Sequence, residues 1–115
     1  MTKAILNQER HSQLCSEAVL LARAILSEDE HYLSNVIKLN SLRFELGENE
    51  FDKDFVVFLT ISSDTDHIPY GKNRENCSAK WLEKCDKELF EIKEHYRGEV
   101  EKSCKSIIER FGKNA

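Results

Sequence analysis

The sequence predicts an all-α fold, a compact bundle of about four to five helices with one long irregular loop at residues 62–77, and three observations carry that prediction. One proline and four glycines in 115 residues leave little room for the turns of a multistranded sheet. Charged residues make up 33% of the chain, which suits solvated helix faces. Apolar residues recur at steps of three and four over much of the length. With 40% apolar residues a chain of this size buries one modest core, so residues 1–115 are expected to form a single helical domain.

Leu14, Ala18, Leu21 and Ile25 step by four, three and four with Ser16, Glu17 and Arg23 between them, which predicts an amphipathic helix over about 8–26. The Ser-Glu-Asp-Glu run at 27–30 closes it and offers Ser27 or Asp29 as the cap of a second helix. That helix carries Leu33, Val36, Ile37, Leu39, Leu42 and Leu46, and Gly47 sits at its C′ position. So short a connection makes the two an antiparallel hairpin. Residues 51–62 read two ways, because Phe, Val and Ile favour strands while Asp52 ahead of Phe55, Phe58 and Leu59 reads as a capped, buried helix. No other segment offers a second strand, and a lone strand cannot satisfy its backbone groups, so a short helix is expected.

Residues 62–77 hold the only proline and a density of turn formers, which makes them the one long irregular segment. From 78 onward Leu82, Cys85, Leu89, Ile92, Tyr96, Val100, Cys104, Ile107 and Phe111 keep three/four spacing up to Gly112. One unbroken helix there would be about 50 Å long, more than the width of a compact domain of this length. A bend or break near Arg97 and Gly98 is therefore expected, leaving two helices.

No stretch approaches the roughly 18 apolar residues of a membrane span, since residues 55–61 are the longest run and include Thr60. Residues 1–10 have no apolar block behind Lys3 and lack the pattern of a signal or transit peptide, so a cytoplasmic protein with no membrane contact is expected. The four cysteines, Cys15, Cys77, Cys85 and Cys104, form no Cys-x-x-Cys pair and have no histidines at zinc-finger spacing. Reduced thiols are expected, with no structural metal and no cofactor. Cys85 and Cys104 fall on the apolar stripe, where a thiol acts as a small hydrophobe.

Asp64, Asp66 and His67 gather two carboxylates and an imidazole within four residues, with Lys72 and Arg74 close behind. As a metal site this loop lacks a third ligand at helical spacing, and as an acid/base site it has no nucleophile and no glycine-rich phosphate cradle. No catalytic residue is assigned. Turn architecture accounts for the same residues, with Arg74 pairing with Asp64 or Asp66.

Charge is distributed unevenly. Residues 45–66 contain seven carboxylates against Lys53 alone, whereas the whole chain carries only −4. That band excludes nucleic acid as a partner and favours a basic protein, although helix caps and soluble loops also collect carboxylates. Among the aromatic residues Trp81 is expected to pack at the core or its edge, and Tyr70, after Pro69 in the polar loop, to be exposed.

The segments Lys38-Leu39-Asn40-Ser41-Leu42-Arg43, Asp54-Phe55-x-x-Phe58, Ser63-Asp64-Thr65-Asp66-His67-Ile68-Pro69-x-Gly71-x-x-Arg74 and Cys104-x-x-x-x-x-Arg110-Phe111 resemble a family of small bacterial helical proteins of uncharacterised function, over about residues 20–111. Asp64 stands where that family usually has Glu, and Cys77 where it often has Trp. Some proteins that look like this serve as immunity proteins of contact-dependent growth inhibition systems, which bind the toxic domain of an attacking cell's surface protein and block its active site. The resemblance implies a non-enzymatic antitoxin whose partner is a cognate toxin domain, a basic nuclease. Its contact surface would comprise Glu45, Glu48, Glu50, Asp52, Asp54, Asp64, Asp66, His67, Tyr70 and Arg74, and the free protein would be a monomer or weak dimer. Two readings from other classes stand beside it: a small-ligand or metal-binding enzyme centred on the loop from Asp64 to Arg74, and a helical module that self-associates through its C-terminal stripe.

Overall fold

The first helix, α1 (Lys3–Ser27), begins five residues earlier than its apolar pattern requires and buries Leu14, Cys15, Ala18, Ala22 and Ile25. The structure is a computed structural model that describes residues 3–47 and 52–113. After α1 the chain reverses at Glu28, whose φ of +51° places a non-glycine residue in the left-handed region. Neither Ser27 nor Asp29 caps the second helix, α2 (Tyr32–Glu45), directly. The Ser27 hydroxyl donates back to the Ala24 carbonyl, and Asp29 Oδ1 accepts the His31 N–H at 2.8 Å, shaping the turn one residue before the helix starts. Gly47, at φ +81°, follows α2 and donates its N–H to the Phe44 carbonyl, the left-handed C′ role expected of it. Arg10 reaches Glu45 at 3.3 Å, which places the first half of α1 beside the end of α2, as in the antiparallel hairpin.

The ambiguous apolar run is a helix, α3 (Val56–Asp64), with Phe55, Phe58 and Ile61 fully buried. Asp52 turns the chain into it, its Oδ1 accepting the Asp54 N–H at 2.9 Å. The irregular loop is shorter than its composition predicts, because α3 reaches Asp64 and a 3₁₀ helix occupies Gly71–Asn76.

The last helix, α4 (Ala79–Gly112), is a single 34-residue element, and the break expected near Arg97 and Gly98 does not occur. The bundle measures 54 Å along its longest axis against 30 Å and 23 Å, so a helix of about 50 Å fits along that axis without a break. Gly98 is exposed, with nothing within 4 Å of where a Cβ would stand. One residue earlier Arg97 pairs with Glu94 and with Glu28, tying the middle of α4 to the end of α1. Ser78 caps α4 by accepting the Trp81 N–H at 3.1 Å.

Two clusters of buried side chains divide α4 between them. The larger joins α1, α2 and α3 to Val100, Cys104, Ile107 and Phe111, and Phe55 meets Phe111 edge to face with centroids 6.0 Å apart. The smaller, Leu33, Ile68 and Cys85 with Ile37 and Leu89 against it, contains no residue of α1. α1 thus covers the C-terminal half of α4, while the start of α2 and the loop cover the N-terminal half. Among the described residues no helix is long and apolar enough to cross a membrane.

Candidate functional site

The loop motif is laced to α4 at three separate heights. Asp64 accepts from the Tyr96 hydroxyl at 3.1 Å, His67 Nε2 donates to Glu88 at 2.9 Å, and Arg74 forms a two-nitrogen pair with Asp86 at 2.8 and 3.0 Å. Asp66 lies 3.5 Å from His67 Nδ1. The expected pairing of Arg74 with Asp64 or Asp66 is therefore corrected: the 3₁₀ helix swings Arg74 away from both and onto α4. Between these ties Thr65 is buried and donates to the Ile61 carbonyl at 2.7 Å, and Ile68 is buried in the smaller cluster. Gly71, at φ +59°, opens the 3₁₀ helix in the left-handed region. These contacts account for most positions of the motif as loop architecture.

The ties perturb the groups that make them. The hydrogen bond to Glu88 holds the His67 imidazolium above its ordinary pKa, and Arg74 holds the Asp86 carboxyl below its own. Burial, and then the bond to Asp64, raise Tyr96. Asp64, Asp66 and His67 do not converge on a common point, and among the described residues no group of three or more histidines, cysteines or carboxylates could hold a metal.

The acidic band is not a continuous free surface. Asp54 is buried and Asp52 half-buried, and both accept from Arg110 Nη1 at 3.1 Å. Glu45 is paired with Arg10, and Glu48 and Glu50 lie outside the described residues. Arg43, from the segment at 38–43, is buried; it donates to Asn40 Oδ1 and lies 4.3 Å over the Phe44 ring.

What the structure does assemble is a groove of about 470 Å³ beside the laced loop. Its lining comes from the turn before α2 (Asp29, Glu30, Tyr32, Leu33), the loop (Pro69, Tyr70, Gly71, Arg74) and one face of α4 (Asp86, Leu89, Phe90, Lys93). Tyr70 is exposed, as its place after Pro69 predicts, and Phe90 is 62% exposed. Sequence reasoning singled out Tyr70 and Arg74 but missed Phe90, Asp86 and Lys93. The signal was available in part, because Phe90 is an aromatic residue one position out of phase with the apolar stripe that runs through Leu89. Trp81, expected to pack, is 40% exposed, with Lys84 Nζ 5.6 Å from its ring. It falls in the first turn of α4, ahead of Cys85, the first buried position of that helix.

An all-α bundle, drawn out along one long helix and grooved at one end where a loop is tied down by ion pairs, is the class these features define. The chain belongs to the family described as protein of unknown function (DUF2489), whose model matches residues 2–107. No curated protein and no solved structure matches it.

Proposed function

We propose that this chain is a non-enzymatic binding protein that neutralises a cognate toxin domain by covering its active site. The observation that carries the binding part is the groove. Its aromatic walls, Tyr70 and Phe90, stand open, whereas Asp64, His67 and Arg74 of the neighbouring loop are engaged with α4. Exposed aromatic side chains in a concave surface of mixed apolar and charged lining are what protein partners bury. The toxin, and its basic character, are supported by the resemblance to immunity proteins and by the net charge of −4, which also disfavours nucleic acid as the direct partner. A cytoplasmic site of action follows from the same reading.

The test is co-purification of the tagged chain with the product of the gene immediately upstream, followed by titration calorimetry. A one-to-one complex in the nanomolar range that weakens with salt is the expected result. Failure of the upstream product to bind overturns the toxin assignment. A second reading, a small-ligand site, is favoured by the groove volume, which lies in the range of ligand pockets. Retention of a small molecule in native mass spectrometry of the purified protein would support it.

A further inference from the structure

The groove begins just past the end of α1, where Asp29 and Glu30 follow the reversal at Glu28. Glu28 meets Lys93 at 3.7 Å and Arg97 at 2.9 Å, and past the end of α1 the face of α4 that carries Asp86, Leu89 and Phe90 is covered only in part, Leu89 being half-buried against Leu33 and Ile37 of α2 while Phe90 stands 62% exposed. Resting on the binding reading above, we propose that this face docks a segment of the partner protein in which a lysine or arginine is flanked by apolar residues.

The charges select the occupant. Both cations in the groove are already matched: Arg74 is held by Asp86, and Lys93 lies beside Glu28 and 4.6 Å over the Tyr32 ring. Asp29 accepts a backbone N–H from His31, and Glu30 faces His31 Nε2 at 3.5 Å; among the described residues neither carboxylate meets a lysine or arginine. An anionic guest would have to compete with Asp86 for Arg74 or with Glu28 for Lys93, and would meet the negative charge of Asp29 and Glu30. A cationic guest displaces nothing. Its head group meets Asp29 and Glu30, its methylene stem lies on Leu33 and Leu89, and the rings of Tyr70 and Phe90 offer π faces to the charge.

The test uses the ¹⁵N-labelled full chain and three probes: the tetrapeptide amide acetyl-Leu-Lys-Leu-Leu, and the same peptide with norleucine or glutamate in place of lysine. The lysine peptide is expected to move the amide signals of residues 29–33, 69–74 and 86–93, saturating in the millimolar range. The norleucine peptide should bind roughly three- to tenfold more weakly, since it loses the ion pairing and the cation–π contact. Reversing the two exposed carboxylates, Asp29→Lys with Glu30→Lys, should remove the lysine peptide's advantage. Equal binding of all three peptides, or signal changes centred on Trp81 instead, overturns the proposal. The outcome separates from that of the binding reading. If the upstream product binds the doubly reversed protein as tightly as the original, the docking face is wrong and the binding reading stands. If the lysine peptide fills the groove while no upstream product binds, the groove stands and the toxin assignment falls.

Discussion

Asp54 and Arg110 close the fold at the end opposite the groove. The Asp54 carboxylate, 6% exposed, accepts from Arg110 Nη1 at 3.1 Å, and the same nitrogen lies 3.1 Å from Asp52. Two carboxylates that the sequence assigns to a binding band are in the structure the anchor between the entry to α3 and the last turns of α4.

Asp54→Ala takes away one carboxylate on Arg110 Nη1 and leaves that of Asp52 in place. Breaking a fully buried pair costs about 3–5 kcal/mol, and because the Arg110 side chain is 34% exposed the cost here is smaller, about 1–3 kcal/mol for Asp54→Ala. Urea unfolding should show the midpoint falling accordingly. An unchanged midpoint would mean that the pair contributes nothing to stability.

The continuity of α4 predicts the opposite sign at Gly98. Alanine fits there without contact and restricts the unfolded chain, so Gly98→Ala should stabilise by about 0.5–1 kcal/mol. Thermal denaturation should shift upward by a few degrees. A downward shift would place a helix break at this residue.

His67 and Asp86 give the loop opposite pH responses. The His67 pKa is raised by Glu88, so its contribution is fully present below the unfolded value of about 6.5 and is lost as pH rises through the higher folded value. The Asp86 pKa is lowered by Arg74, so its contribution is present above the unfolded value and is lost as pH falls through the folded one. The difference in melting temperature between the original protein and Glu88→Gln should therefore be larger at pH 5.5 than at pH 9. A difference that stays constant across that range would rule out the charged latch.

The thiols should react in order of burial. Cys15, Cys85 and Cys104 are buried, and burial pushes Cys104 up to about 12, whereas Cys77 is half-buried in the loop. Native titration with a chromogenic disulfide should label one thiol quickly and three slowly, and Cys77→Ser should remove the fast phase. A fast phase that survives that substitution would place an accessible thiol elsewhere.

The sequence determined the elements. Local spacing was enough to find α1, α2 and the stripe of α4, because a helix's apolar face recurs every three or four residues whatever it packs against, while α3 followed from the lack of a second strand to pair with. It also marked the loop, through Pro69 and Gly71, and the exposure of Tyr70. Tertiary structure alone decided which charges are free. Asp52 and Asp54 are matched by Arg110, and Arg74 by Asp86, while Asp29, marked in the sequence only as a cap candidate, and Glu30 line the groove. It alone decided too that α4 passes Gly98 unbroken and that Phe90 and Trp81 reach solvent. The reason is physical: the energy of a charge or an aromatic ring depends on burial and on distances of a few ångströms, and the partners that set them, such as Arg110 for Asp54, lie dozens of residues away along the chain.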